Sequence, residues 1–506
     1  MENAFSKRNY LSDEIVDAMG NISTAAKQDD LPVLLAMVMG LDSSPRRMSR
    51  DEIESLGDPF SAQVILKGKY PLTLQALIAE IDGLTQASGK LERSLFLVSE
   101  GAQLKELEPR FENNARLVFV WRNSRVPAFQ ILLSTVPIAN SQTSLLQLIA
   151  WSAKDNAFHF YQRKNAAWVW VGHSFFALKE PTRGLGPFDG HVNGGLVMKE
   201  LKFPWAHWHS QSNSIPRESF ASNSEFNTNP LFATVAGAEG LERIVRSGIR
   251  RWTRSRLASS LSAPVAGDLR RYFNHLVVPT SVNLVSSSLE YKRLEGRRLT
   301  LPSEFFIDVD ALEWVSERMA EEAGIVPAAR LELSGDHYKA AALELGIFVP
   351  SERSAVMLNT DTYFCFIVPE RAFEDTEFIK QLIENNMISA RLALCLLLVD
   401  FHNPLVSPRR AALGKYCPSE SSLTEGMKAL DDLFVEKINQ SAMEKDSPEE
   451  EFLNYWKDPD VLQKARQELS TFFEGLEKKP DKPGRRQAFF VARRLSKRVF
   501  PHSQTQ

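Results

Sequence analysis

The chain has 506 residues, of which 43% are hydrophobic and 24% are charged, close to the average of globular proteins. This length predicts roughly two to four structural units with sizeable cores, and disorder only at the ends and in linkers. The 60 basic and 63 acidic side chains leave a formal net charge of -3, which argues against wholesale binding to nucleic acid or to a membrane.

The cysteines and the first residues bear on the cellular compartment. The three cysteines, at 365, 395 and 417, show no C-x-x-C spacing, which disfavours a disulfide framework or a cysteine-zinc site. Residues 1–10 lack the apolar segment of a secretory signal, and no run approaches the ~18 apolar residues of a membrane span. We therefore expect a cytoplasmic protein.

Residues 1–90 predict a helical N-terminal region. Apolar residues recur at a spacing of three to four in the segments 14–19, 31–39 and 72–84, with Ser, Asp and Pro between them. The polar stretch 42–58 fits a loop or a short helix.

Residues 91–230 predict a central β-rich region. Short β-branched and aromatic runs, typical of buried strands, occur at 94–98, 116–121, 129–133, 158–161 and 168–171. The last two runs predict a hairpin in which Phe158 and Phe160 share one face and His159 and Tyr161 share the other. We therefore expect an antiparallel sheet across residues 93–172.

Residues 231–478 predict a larger helical C-terminal region, followed by a basic tail at 479–506. Helical periodicity covers the segments 240–257, 309–323, 337–346, 374–399, 424–438 and 459–476. The expected fold class is α+β, with a helical N-terminal region, a central antiparallel sheet and a larger helical C-terminal region.

The most unusual chemistry lies between His159 and His209, where histidines, tryptophans and glycines are concentrated, and the section 179–216 shows no clean period. Imidazole is the commonest metal ligand because a neutral ring nitrogen donates to the metal. His207 and His209 point the same way on an extended backbone, and His191 could supply a third ligand from a glycine-flanked loop. Asp189 and Glu200 could complete the shell or orient an imidazole.

Packed aromatic surface is the alternative interpretation of this segment. No H-E-x-x-H motif or facial triad is present, and ring nitrogens can also bind backbone carbonyls. The glycines at 190, 194 and 195 favour tight turns, since no Gly-Lys-Ser/Thr follows to make a phosphate loop.

The run G-H-V-N-G-G-L-V-M-K-E-L-x-x-P-W-x-x-W-H-S, over residues 190–210, resembles the region after the haem-attachment cysteines of cytochrome-c-like bacterial proteins. Pro187 and Gly190 stand where the two cysteines would be, so both thioether anchors are missing. The resemblance implies a relative without haem or with a non-covalent cofactor. His191 would be one axial ligand, with Met198 or His207 as the second.

The leading hypothesis is a cytoplasmic cofactor- or metal-binding protein of redox type, centred on residues 191–209. His191, His207 and His209 would hold the centre, while Trp205 and Trp208 would wall it from water. The bound group would be a transition metal or a non-covalent haem. A small-molecule substrate and an oxidoreductase activity would fit, although no motif fixes a reaction class.

Two other hypotheses belong to different classes. An interaction protein could dock an acidic partner or an anionic membrane surface through the arginine-rich helix 240–257 and the basic tail. That helix could equally present a solvated face with salt bridges to neighbouring acidic helices. A metal-independent enzyme with an unidentified acid/base pair is the third possibility.

Overall fold

The computed structural model describes a large part of the chain, and every structural statement below concerns those residues. They are 34–84, 91–99, 115–126, 130–164, 167–189, 191, 193–196, 220–237, 239–261, 265–266, 269–278, 282–286, 298–301, 309–319, 331–334, 365–371, 373–401, 407–418, 421–422, 426–441 and 444–477. Two compact units emerge. Unit 1 holds the described residues up to 99, from 115 to 196 and from 220 to 248, and unit 2 holds the described residues from 249 onward.

Unit 1 is built on an eight-stranded sheet in the order β2-β1-β8-β7-β6-β5-β4-β3. Its strands are β1 (Leu34–Ala36), β2 (Arg46–Arg47), β3 (Glu92–Ser99), β4 (Ala115–Arg122), β5 (Gln130–Thr135), β6 (Leu146–Ser152), β7 (Ala157–Lys164) and β8 (Ala167–His173). Each neighbouring pair from β3 to β8 is antiparallel, as expected across residues 93–172, although β6 was not among the predicted strands.

One strand pairing makes the sheet mixed. β1 lies parallel to β8, with Leu34 opposite Trp168 and Ala36 opposite Trp170. The helix expected over 31–39 is therefore wrong for the described part of that segment. A short apolar run fits a buried strand as well as a helix. Here residues 34–36 form a strand because their backbone pairs with that of β8.

Three short helices follow β2 in unit 1, namely α1 (Arg50–Leu56), α2 (Pro59–Gln63) and α3 (Leu74–Asp82). Ser49 begins α1 with a capping box, and Asp58 caps α2 by accepting the amides of Phe60 and Ser61. The Phe60 ring meets the rings of Tyr161 and Trp168 edge-on, with centroids 5.1 and 5.0 Å away. This contact holds α2 against the sheet.

The hairpin of β7 and β8 is confirmed, and it contains an irregularity. Tyr161 pairs with Trp170, whereas His159 pairs with His173, so the register shifts by one residue between them. Gly172 lies in the shifted stretch with φ +116°, a conformation that favours glycine. A regular register would place Gly172 opposite His159, so the shift brings His173 there instead.

After α4 (Glu225–Thr228), the chain enters the long arginine-rich helix α5 (Glu239–Leu261). Its predicted apolar side is buried, and comprises Leu241, Ile244, Val245, Ile249 and Trp252. Two glycines allow close approach within unit 1. A Cβ on Gly240 would lie 2.7 Å from a ring carbon of Phe96, and one on Gly248 would lie 3.1 Å from Cγ of Leu196.

Unit 2 is mainly helical among the residues described. Its helices are α6 (Leu269–Val277), α7 (Val309–Glu317), α8 (Phe373–Glu384), α9 (Ala390–Leu398), α10 (Pro408–Ala412), α11 (Gly426–Asn439), α12 (Pro448–Lys457) and α13 (Val461–Glu477). Three two-stranded antiparallel pairs accompany them, made by β9 (Val265–Ala266) with β14 (Ser421–Ser422), β10 (Val282–Ser286) with β13 (Cys365–Arg371), and β11 (Arg298–Leu301) with β12 (Leu331–Ser334). All of these helices except α10 contribute side chains to one apolar core.

The single helix expected over 374–399 is two helices, α8 and α9. Asn386 between them has φ +55°, which ends a helix, and Ser389 caps the start of α9 by accepting the amide of Leu392. Asp431, which is 5% exposed, accepts the amide of Ser389 at 3.2 Å. Apolar residues continue on both sides of the break, so their spacing alone predicts one helix.

Buried charges also hold unit 2 together. The Arg410 guanidinium donates to the carbonyls of Leu396 at 3.0 Å, Leu397 at 3.3 Å and Val399 at 3.0 Å. These are carbonyls that the end of α9 leaves without helical partners. Arg410 itself is 1% exposed, so a buried cation sits at the negative end of the helix.

The fold class α+β is confirmed, while some expected elements cannot be compared. The segments 14–19 and 337–346 and the basic tail 479–506 lie outside the described residues. In the part of the chain that is described, no helix has the length and apolar character needed to cross a membrane.

Candidate functional site

His191 lies in a compact turn of unit 1, which we call the His191 loop (described residues 187–189, 191 and 193–196). The His191 amide donates to the Pro187 carbonyl at 3.0 Å, and the Gly194 amide donates to the His191 carbonyl at 2.7 Å. Gly194 has φ +72°. The glycines that the sequence assigned to tight turns therefore include one that closes this turn.

The His191 ring is fixed in one tautomer. Its Nδ1 lies 2.7 Å from the Gly195 carbonyl oxygen. A carbonyl only accepts, so Nδ1 carries the proton and Nε2 keeps its lone pair. Burial lowers the pKa of His191 to about 4, although the bond to Gly195 opposes that shift. The ring is consequently neutral at physiological pH.

Packing and hydrogen bonds anchor the His191 loop to the sheet. The Ser174 hydroxyl, at the end of β8, donates to the Gly194 carbonyl at 2.8 Å. A Cβ on Gly194 would lie 2.8 Å from Cα of Ser174, so no larger residue fits. The His191 ring contacts Phe160, with centroids 5.2 Å apart.

Two further histidines, His159 and His173, belong to the opposite face of the sheet. Consecutive residues of a strand face opposite sides, so His159 points away from the side that Phe160 shares with His191. His159 and His173 lie together, with ring centroids 5.6 Å apart. The sheet thus separates these two imidazoles from His191.

His159 is bound on both ring nitrogens. The Trp170 indole donates to Nδ1 at 3.1 Å, and since an indole N–H only donates, the proton of the neutral ring is on Nε2. Nε2 then donates to the Asp155 carboxylate at 2.9 Å, which lowers the pKa of Asp155. The buried Tyr161 hydroxyl donates to Asp58 beside this group. These contacts fix the orientation of the His159 ring.

His173 is partly buried among aromatic rings, the nearest being Phe176 with a centroid separation of 4.3 Å. Burial lowers the pKa of His173 to about 4, and the neighbouring His159 adds to the effect. His173 is therefore neutral at physiological pH, as His191 is, but it lies on the other face of the sheet.

The remaining predicted site residues, Met198, Trp205, His207, Trp208 and His209, lie outside the described residues, as does Glu200. Among the side chains that are described, no group of three or more His, Cys, Asp or Glu converges on a position that could hold a metal ion. His191 is the predicted ligand whose surroundings are visible.

The arginine-rich helix α5 combines solvated and paired arginines. Arg256 is buried and pairs with Glu374 at 2.7 Å, and the 57%-exposed Arg250 pairs with Glu377 at 3.3 Å. Arg243 and Arg254 are exposed. The expectation of salt bridges to neighbouring acidic helices thus holds at Arg250 and Arg256, which both pair with α8.

Several residues that shape the site were not predicted from the sequence. Ser174 and the Gly195 carbonyl both control the His191 loop, and only the Gly-Gly pair at 194–195 signalled a turn there. The set Asp58, Asp155 and Trp170 around His159 comes from three separate segments. Such contacts across the sheet leave no spacing signal in the sequence.

The chain was also compared with known proteins. No protein-family model, no curated protein and no solved structure matches this chain.

Proposed function

We propose that the protein binds a cofactor or metal of redox type, with His191 as one ligand through Nε2. The observation that carries the proposal is the hydrogen bond from Nδ1 to the Gly195 carbonyl. Histidine ligands of metals characteristically donate the other ring N–H to a carbonyl or carboxylate, which fixes the tautomer and the ring orientation. The neutral state of His191 removes competition from a proton.

The proposal keeps Met198, His207 and His209 as candidate partners of His191. A transition metal would use the imidazoles, and a non-covalent haem would use His191 with Met198 or His207 as its second axial ligand. Trp205 and Trp208 would shield the group from water. Oxidoreductase chemistry on a small-molecule substrate is the activity that such a centre would serve.

A cytoplasmic location remains part of the proposal. Cys395 and Cys417 are free, buried thiols, and burial raises the pKa of each to about 12. Thiols of this kind are inert and compatible with a reducing compartment.

Metal analysis and an ultraviolet-visible spectrum of freshly purified, unchelated protein test the proposal. We expect about one metal ion per chain, or a Soret band. His191→Asn should lose the bound group, because an asparagine amide can replace the Nδ1 donor but not the Nε2 lone pair. His173→Asn is the matched control, since it removes a partly buried histidine of similarly lowered pKa from the other face.

Two results would count against the metal or cofactor proposal. One is wild-type protein with a plain protein spectrum and no metal. The other is a His191→Asn variant that retains the full content of the bound group. Loss of the group in His173→Asn alone would move the centre to the opposite face of the sheet.

A second candidate function is docking to an acidic protein or an anionic membrane surface. The exposure of Arg243 and Arg254 on α5 favours it, because guanidinium groups bind carboxylates and phosphates. Polyglutamate and phosphatidylserine vesicles would distinguish the two partners, and binding should weaken with salt. A double change of Arg243 and Arg254 to Glu should abolish it, whereas the same change at the exposed Arg122 and Arg125 should not.

A further inference from the structure

Ser174 joins the sheet to the His191 loop through its side chain. The residue follows β8 directly and is fully buried. Its hydroxyl accepts the amide of Phe158 on β7 at 3.0 Å and donates to the Gly194 carbonyl at 2.8 Å. A hydroxyl has one proton to donate, and the shorter of its two carbonyl contacts, to Gly194 rather than to Phe158, takes it.

Two hydrogen bonds, joined by the peptide bond between Gly194 and Gly195, connect that hydroxyl to the imidazole. The Gly194 carbonyl belongs to the peptide group that begins Gly195, and a peptide group is planar. A fixed Gly194 carbonyl therefore fixes the plane that carries the nitrogen and Cα of Gly195, so only the φ and ψ rotations of Gly195 separate this plane from the Gly195 carbonyl. That second carbonyl is the acceptor of the His191 Nδ1 proton.

We propose that Ser174 is a positioning residue for the His191 centre. It acts through the Gly194–Gly195 peptide to hold the ring orientation and the tautomer that expose the Nε2 lone pair. This inference rests on the proposed function, in which Nε2 binds a metal or cofactor. Loss of a group that hydrogen-bonds a metal ligand directly typically weakens metal binding by about 10–100-fold, and Ser174 acts one peptide group further out, so we expect the low end of this range.

Titration of the metal-free full-length protein with Co²⁺ tests the inference, because the visible bands of Co²⁺ report its ligands. Ser174→Ala should raise the Kd for Co²⁺ by about 10-fold and change the band positions. Ser174→Thr keeps the hydroxyl and should restore both. Ser174→Cys, with similar volume and a weaker donor, gives an intermediate Kd and provides a second variant if Ser174→Ala does not fold.

Thr135→Val is the matched control for stability. Thr135 is also fully buried, and its hydroxyl donates to the Leu145 carbonyl at 2.7 Å within the same sheet but away from the His191 loop. Thr135→Val should lower the melting temperature as Ser174→Ala does, yet leave the Kd and the Co²⁺ spectrum unchanged. A purely structural role of Ser174 would make the two variants behave alike.

The outcomes separate this inference from the proposed function. If His191→Asn loses Co²⁺ binding while Ser174→Ala keeps the wild-type Kd and spectrum, the positioning role is wrong and the proposed function stands. If the wild-type protein binds no Co²⁺, or binds it equally well without His191, both the proposed function and the inference fail. Weakened binding in Ser174→Ala with recovery in Ser174→Thr supports both.

Discussion

Gly194 and Gly184 offer a paired substitution that measures how tightly the His191 loop is held. Both glycines have φ +72°. A Cβ on Gly184 would meet nothing within 4 Å, whereas one on Gly194 would lie 2.8 Å from Cα and 2.9 Å from the carbonyl carbon of Ser174. Alanine at either position therefore incurs the same backbone strain, and only Gly194→Ala also forces two backbone segments apart.

The size of the difference follows from these two contributions. Left-handed backbone costs an alanine roughly 1–2 kcal/mol, and this applies to both variants. Overpacking adds about 1–3 kcal/mol for Gly194→Ala alone. In a unit of this size, each kcal/mol lowers the melting temperature by roughly 2–4 °C. Gly194→Ala should thus melt several degrees below Gly184→Ala.

Scanning calorimetry of the two variants and the wild type, at one pH and scan rate, provides the measurement. Equal melting temperatures for Gly194→Ala and Gly184→Ala would refute the reasoning. They would mean that the His191 loop does not rest on Ser174. A lower melting temperature for Gly194→Ala, accompanied by weaker Co²⁺ binding, would show that this contact also supports the ligand.

Three further predictions concern charge. With its pKa at about 4, His191 should be only about 3% protonated at pH 5.5, against about 90% for an ordinary histidine; an NMR pH titration with His191→Asn for assignment checks this, and a midpoint near 6.5 contradicts it. Burial raises the pKa of Asp431 from 3.8 to about 6, because the buried carboxyl is more easily accommodated in its neutral form. The free energy of unfolding is therefore highest below pH 4 and falls as pH rises through 6. Asp431→Asn should therefore stabilise the protein by up to about 3 kcal/mol at pH 8 and by less than about 1 kcal/mol at pH 4 in urea unfolding, with the exposed Asp446→Asn as control; an equal gain at both pH values would contradict the raised pKa. Arg410→Met leaves three buried carbonyls without their donor and should cost at least about 3 kcal/mol in the same assay, whereas Arg409→Met, at a more exposed arginine, should cost far less; similar losses would exclude the capping role.

Local patterns in the sequence predicted much of the fold. Alternation along β7 and β8 located the hairpin, and the spacing of apolar residues in α5 identified its buried side. The prediction of a helix over 31–39 was wrong because its apolar run fits either a strand or a helix. Pairing with β8, a strand far along the chain, makes residues 34–36 a strand. The break between α8 and α9 depends on Asn386 and Ser389, whose turn and capping roles the surrounding apolar residues masked.

The candidate site was predictable only as a region. The cluster of histidines in the sequence suggested a shared centre, but alternation along β7 sends His159 to one face while Phe160 and His191 share the other. The register shift at Gly172, which places His173 opposite His159, depends on the pairing of two strands and has no counterpart in residue spacing. The orientation of His191 depends likewise on a carbonyl and a hydroxyl that any sequence supplies in abundance.

The parallel pairing of β1 with β8 has a consequence for how unit 1 assembles. Leu34 and Trp168, which pair directly, are 134 positions apart along the chain, so this part of the sheet closes a very long loop. Such non-local pairing slows folding because the entropy of loop closure is lost before the contact forms. During synthesis on the ribosome, β1 therefore lacks its partner strand until all seven strands that follow it, β2 to β8, have emerged. Unit 1 is therefore expected to reach its native sheet late, with β1 joining last.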